Sequence, residues 1–202
     1  MTNFTYEFEN KTDRLETFEW DNVWWERANE TDTPRVLYIG DSISCATRRV
    51  ATETSGNTIY FDGLGTSKAL DNPYFFDTVR LFANQEGKRR AILFNNGLHG
   101  WHLDDESEYG KYYEEMIKFL ISEFAGTTIF LLLTTAVADL ERDARVVKRN
   151  ATVVALAKRY NLPVIDFYSI VDSNRDLISG DGVHLIEEGY RLLAEKIITE
   201  II

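Results

Sequence analysis

Five short apolar runs, rich in β-branched and aromatic residues, recur at Val36–Ile39, Thr58–Phe61, Ala91–Phe94, Thr128–Leu133 and Val164–Phe167. Each is nearly continuous rather than alternating, the pattern of a strand covered on both faces, as in a parallel sheet. Between them the period changes to that of a helix. Tyr109, Tyr113, Met116, Leu120 and Phe124 form one stripe, with Glu114, Glu115 and Lys118 on its polar side, and Val146, Asn150, Val154 and Ala157 form a second. Tyr190, Leu193, Ile197 and Ile201 share one face of a closing helix over Gly189–Ile202. Strand and helix thus alternate, which predicts a three-layer α/β/α sandwich around a five-stranded parallel sheet with right-handed crossovers.

The segment before Pro34 does not follow this rhythm. Phe18, Trp20, Val23, Trp24 and Trp25 crowd into an acidic context there, so residues 1–33 are expected to be an aromatic-rich extension packed on a domain formed by 34–202. Its aromatics suit a cover over the core, or a patch facing a ligand or a second copy. At 202 residues and 44% hydrophobic the chain can bury a substantial core, which excludes disorder and low complexity. Its formal charge of −11 argues against nucleic acid or an anionic membrane surface as partner, since both reward positive charge. The longest apolar stretch, Ile129–Leu133, falls far short of the roughly 20 residues that span a bilayer. The acidic first thirty residues hold no apolar signal core, so a cytoplasmic location is expected, and the Asn-x-Thr sequons at Asn3, Asn10, Asn29 and Asn150 are read as chance. Cys45 is the single cysteine, which rules out an internal disulfide and suits a small buried residue better than a nucleophile.

Two places combine residue types that catalysis requires. The run Val36-Leu37-Tyr38-Ile39-Gly40-Asp41-Ser42 carries an apolar strand directly into Gly-Asp-Ser. In an open α/β sheet the carboxyl end of a strand is where ligands meet the chain. A serine opening the next helix there exposes its hydroxyl, and its own N–H belongs to the unpaired amides of a helix N-terminus. The second place is Ser179-Gly180-Asp181-Gly182-Val183-His184. Histidine takes and returns a proton near neutrality, and Asp181, three residues earlier, is close enough in a turn to orient the imidazole.

The order Ser42, Asp181, His184, with the last two before a terminal amphipathic helix, resembles the SGNH (GDSL-type) hydrolase family over Val36 to about Ala194. The resemblance implies a flavodoxin-like fold, Ser42 as nucleophile, and Asp181 and His184 as orienter and base. Two further blocks are looser. The family's second block supplies a glycine N–H to the oxyanion hole, and Phe61-Asp62-Gly63-Leu64-Gly65-Thr66-Ser67 stands in its place, with Gly65 as first choice and Gly63 behind it. The third block is normally Gly-x-Asn-Asp, whose asparagine also donates. Here Asn95-Asn96-Gly97-Leu98-His99-Gly100-Trp101-His102 departs from it, so that His99, or Asn96 or Asn95 with an offset, takes that position. The oxyanion set is therefore Ser42, Gly65, and Asn96 or His99.

His99-x-x-His102 has no third ligand at a diagnostic spacing, and neither a metal nor a cofactor is expected. Members of the family act on acetylated carbohydrates, short acyl esters, thioesters and lysophospholipids. No apolar lid stands between the motif blocks, and Trp101, Tyr109 and Tyr112 are candidates to stack on sugar faces. The expectation is therefore a serine esterase that removes a short acyl group, acetyl first, from a small-molecule or carbohydrate ester. The alternatives are a lysophospholipase- or thioesterase-like hydrolase and a catalytically silent glycan-binding domain.

Overall fold

The computed structural model describes residues 14–16, 18–85, 89–103 and 105–202. The sequons at Asn3 and Asn10, and residues 1–13 and 17 of the extension, lie outside the described residues. Six strands form one sheet: β1 (Asp21–Trp24), β2 (Arg35–Gly40), β3 (Tyr60–Thr66), β4 (Ala91–Phe94), β5 (Thr128–Leu132) and β6 (Val164–Ile165), in the order β1-β3-β2-β4-β5-β6. The helices are α1 (Ser42–Thr54), α2 (Phe75–Ala83), α3 (Glu106–Glu123), α4 (Leu140–Tyr160), the short α5 (Tyr168–Asp172) and α6 (Glu187–Ile201), with a 3-10 turn at Arg175–Leu177.

The five expected strands are β2 to β6, all parallel, and the flavodoxin-like order follows. The sheet nevertheless has six strands, because β1 adds antiparallel to β3. All four of its side chains are exposed, so it has none of the apolar signature that marks its neighbours.

Both faces of the parallel strands are covered, which accounts for their continuous apolar runs. Val36 and Tyr38 of β2 point into one core with Ala51 of α1 and Leu193, Ala194 and Ile197 of α6. Leu37 and Ile39 point into the other, with Val79 of α2, Tyr113, Met116 and Leu120 of α3, and Leu156 of α4. Each fully buried side chain of this size contributes about 1.5–3 kcal/mol. One expected stripe is rotated. The inner face of α4 runs Val146, Asn150, Val153, Leu156 and Ala157, whereas Val154 is exposed. At 3.6 residues per turn Val154 stands about 80° round from Val146, off the buried face. Asn150 is buried because its amide closes two hydrogen bonds on the backbone of Thr134.

The extension attaches at several points. Trp25 stacks on Phe82 with ring centroids 4.0 Å apart, and Arg48 of α1 lies over Trp24 while donating to the Asn22 side chain. At the amino end of the sheet Asp62 of β3 is fully buried, accepts from Arg35 Nη1 at 2.7 Å and from the Glu26 N–H, and lies 3.7 Å from Arg89. Arg35 also donates to the carbonyls of Glu26, Arg27 and Glu30, so this one carboxylate ties the extension to the sheet. Removing it strands buried positive charge. Asp62→Ala is expected to lower unfolding stability by about 3–5 kcal/mol in urea titrations. A loss below about 1 kcal/mol would show the cluster to be dispensable.

Candidate active site

Strand order reverses between β2 and β4: the chain leaves β2 to build β3 on one side, then returns past it to place β4 on the other. A crevice at the carboxyl ends follows from that reversal. Ser42 follows β2 at those ends, and the loop Asn95–His102 follows β4.

Ser42 is the first residue of α1, half-buried, and Asp41 caps the helix by accepting the Ile43 N–H at 2.9 Å. The Ser42 hydroxyl therefore sits at the positive end of the helix dipole. The Asp41 carboxyl is fully buried and its Oδ2 has no partner; burial pushes its pKa up to about 6, against the lowering effects of the Ile43 N–H and of His184.

His184 arrives from the other end of the chain on a tight loop. The Ser179 N–H donates to the His184 carbonyl at 2.7 Å, the Gly182 N–H to the Ser179 carbonyl at 3.0 Å, and Gly182 has a φ of +82° that favours glycine. A bridge between Ile178 and Leu185 closes the loop. The His184 Nε2 lies 2.8 Å from the Ser42 Oγ, and its Nδ1 lies 2.7 Å from the Asp181 Oδ2. Asp181 Oδ1 accepts from the Ser179 hydroxyl and from the N–H groups of Val183 and His184, each at 2.9 Å. Burial raises the Asp181 pKa, but the Val183 N–H, the His184 ring and the remaining donors outweigh it and hold the carboxyl far below the usual range. Asp181 is thus an ionised acceptor fixed on both oxygens, which presents His184 Nδ1 as a donor and Nε2 as an acceptor toward Ser42. Ser42, His184 and Asp181 form one continuous hydrogen-bonded chain.

Gly65 does not follow the second strand, as its place after Thr58–Phe61 in the sequence suggested, because β3 continues through it to Thr66. The Tyr60 N–H points at β2, to the Pro34 carbonyl, and the Ser67 N–H points at β1, to the Trp20 carbonyl. Strand alternation then aims the Gly65 N–H at its partner Asn22 in β1, away from Ser42. The oxyanion assignment of Gly65 is corrected accordingly, and that of Gly63, two residues earlier and opposite Trp24, falls with it. Gly65 is a glycine for packing: a Cβ there would overlap the Cys45 Sγ beneath the first turn of α1. Cys45 is partly buried and its thiol pKa is raised by burial.

The third block is a buried loop. Asn95 Nδ2 donates to the Leu132 carbonyl and the Thr134 hydroxyl, so it joins β4 to β5. Asn96 Nδ2 donates to the Lys68 carbonyl at 2.8 Å. His99 is 1% exposed, and neither ring nitrogen has a hydrogen-bond partner. Burial, then Arg149 and His184, push its pKa down to about 4, so the ring is neutral at pH 7. His102 turns to Asp71: its Nε2 lies 3.0 Å from each oxygen of that carboxylate.

Arg149 of α4 organises this loop, a role its sequence context did not reveal. Its guanidinium donates to the carbonyls of Gly97, His99, Gly100 and Leu103, and lies 4.5 Å from the ring centroids of both Trp101 and Tyr109. Trp101 and Tyr109 are 3% and 1% exposed, which corrects the expectation that they stack on sugars: their faces hold Arg149. The sequence shows only a cation at helical spacing between Val146 and Val153; its burial there is visible only in the fold.

No protein-family model matches the chain, and no curated protein matches it significantly. Solved structures do. An acetyl xylan esterase, AlAXEase, is 19% identical with a TM-score of 0.66, the match covering 83% of this chain and 100% of that one. The lipase/acylhydrolase from Enterococcus faecalis is 17% identical with a TM-score of 0.66, over 84% of this chain and 95% of that one. A carbohydrate esterase family 3 protein from Talaromyces cellulolyticus is 15% identical with a TM-score of 0.62, over 84% and 98%. The shared architecture is a three-layer α/β/α sandwich. In particular it is the fold of the SGNH/GDSL hydrolases.

Arg149→Leu removes a buried charge and leaves four carbonyls without their donor. It is expected to cost about 3 kcal/mol or more of stability, measured by urea unfolding. An unchanged midpoint would show that the loop holds itself.

Proposed function

We propose that the protein is a serine esterase that removes a short acyl group, acetyl first, from a carbohydrate or other small ester. The observation that carries this reading is the unbroken contact chain from Ser42 Oγ through His184 to a firmly ionised Asp181. A serine hydroxyl is a weak nucleophile until a base within hydrogen-bond reach can take its proton, and His184 meets that geometry.

In the mechanism, Ser42 Oγ attacks the acyl carbonyl carbon as its proton passes to His184 Nε2. The carbonyl π electrons move to oxygen. The Asp181 carboxylate stabilises the imidazolium by accepting its Nδ1–H. Collapse of the tetrahedral species breaks the ester C–O bond, and the alcohol leaves with the proton from His184. Water, deprotonated by the same histidine, then repeats the sequence on the acyl-enzyme and frees the acid. No step calls for a cofactor or metal.

Two donors serve the oxyanion in this reading. The Ser42 N–H is the first, at the open end of α1, where the helix dipole adds favourable potential. The His99 ring is the second. It replaces the usual asparagine, and as a neutral imidazole it supplies one N–H, which is what an oxyanion hole requires. Asn96 holds the backbone at Lys68 and serves the hole through that placement.

The acetyl and carbohydrate parts of the proposal draw support from two of the similar structures, which are named as an acetyl xylan esterase and a carbohydrate esterase. Others are named as lipases or acylhydrolases, so a longer acyl group is the competing reading. Among the described residues no helix is long and apolar enough to cross a membrane. Hydrolysis of 4-nitrophenyl acetate, butyrate and octanoate by wild type and Ser42→Ala separates them. The expected result is turnover that falls with chain length and drops by at least about 10³-fold in the variant. Rates rising toward octanoate would replace the acetyl reading, and turnover unchanged in Ser42→Ala would overturn the nucleophile.

A further inference from the structure

Glu16 enters the site from the extension and is not part of any motif. Its side chain is 4% exposed, its Oε1 accepts the Gly100 N–H at 3.3 Å, and the same oxygen lies 3.9 Å from His99 Nδ1. The Glu16 N–H donates to Glu19 Oε1, and Glu19 is in turn held by Asn72 and the Ser67 hydroxyl, so the segment is anchored to the chain beyond β3. Trp20 packs edge-on against His99, with centroids 6.0 Å apart and planes at 74°. The imidazole is thereby enclosed by the extension on one side and by Arg149 through its own carbonyl on the other. Two buried ring nitrogens without partners, beside one buried carboxyl, are a pair waiting for a proton to share.

We infer that Glu16 is a positioning residue that sets the tautomer of His99 and thereby decides whether the oxyanion hole is complete. The inference rests on the esterase reading with His99 as donor. A neutral imidazole has one N–H and one lone pair. Facing an ionised Glu16, Nδ1 keeps the proton, because the alternative sets a lone pair against a carboxylate. Nε2 is then only an acceptor and cannot stabilise an oxyanion. One proton from solvent reverses this: Nε2 gains it, the Nδ1 proton passes to Glu16, and a carboxylic acid now donates to the Nδ1 lone pair. The separation of 3.9 Å is about 1 Å beyond a hydrogen bond, so the two side chains must approach by that much to share the proton.

The surrounding charges set where that proton rests. Burial raises the Glu16 pKa, the Gly100 N–H lowers it, Glu19 raises it and His102 lowers it, while His102 is itself tied to Asp71. On the other partner, burial, Arg149 and His184 all disfavour an imidazolium. The proton therefore sits on the carboxyl, and the loaded pair is neutral acid with neutral imidazole. Since the hole needs the loaded pair while His184 must be unprotonated to act as base, the pair sets the alkaline limb alone: the hole is complete below the apparent pKa of the pair and is lost as pH rises through it.

Wild type and Glu16→Gln decide this, with histidine-ring nitrogen NMR and the pH profile of 4-nitrophenyl acetate hydrolysis followed together. A glutamine amide carries no charge at any pH, so whichever tautomer it sets cannot switch with pH. The expected result is a His99 tautomer that switches from Nε2–H to Nδ1–H with rising pH in wild type and does not switch in the variant. The kcat of wild type should then decline on the alkaline side by about 10²-fold, with KM little changed, and Glu16→Gln should remove that decline. A tautomer that is the same at all pH values in wild type, or an alkaline limb identical in both proteins, would overturn the inference. Absence of ester turnover in both proteins would instead count against the esterase reading, and the NMR arm would still decide whether Glu16 sets the tautomer.

Discussion

The reversal of strand order between β2 and β4 is the constraint on which the site depends. Connections that leave a shared pair of strands in opposite directions cannot close over their carboxyl ends, so a crevice opens there without any residue being spent to form it. Ser42 is the first helical residue after β2, and the third block is the first loop after β4. α1 packs closely on β3, and Gly65 is what permits it, since any side chain there would meet Cys45. His184 then reaches Ser42 across 142 positions of sequence because α6 packs beside α1 on the same face of the sheet.

Around Ser42 the protein places two carboxyls in opposite environments. Asp181 is about half exposed yet strongly acidic, because both of its oxygens accept hydrogen bonds. Asp41, one residue before the nucleophile, is wholly buried and has one oxygen without a partner, and its pKa rises to about 6. The first arrangement suits a permanent negative charge that holds an imidazole. The second makes the base of the nucleophile's helix sensitive to mild acid: folded-state protonation of Asp41 begins well above that of an unfolded aspartate, so the group favours folding as pH falls through that interval.

Much of this was legible in the sequence, and the failures have specific causes. The parallel strands could be read because burial on both faces leaves continuous apolar runs, and the Asp181–His184 pair because its geometry is local. β1 could not, since an edge strand with four exposed side chains carries no continuous apolar run, and its side-chain links to Arg48, Thr66 and Lys68 are polar ones that only the fold brings together. Gly65 was misplaced because Phe61 to Thr66 mixes polar and glycine positions and ends like a loop, whereas pairing on both sides carries β3 through it. Trp101 and Tyr109 looked available because aromatic residues near a motif do not disclose which faces are occupied, and the occupant, Arg149, stands on another helix. Glu16 lay furthest from view, since only the fold brings it to His99.

The central claim is that Ser42 is the activated hydroxyl of the molecule. Incubation with a fluorophosphonate, followed by digestion and mass mapping, tests it without presuming a substrate. The account predicts a single adduct on the peptide containing Ser42, formed rapidly in the native protein and lost on denaturation before labelling. A native, folded protein that takes no label at Ser42, or that takes it at another serine, would contradict the account.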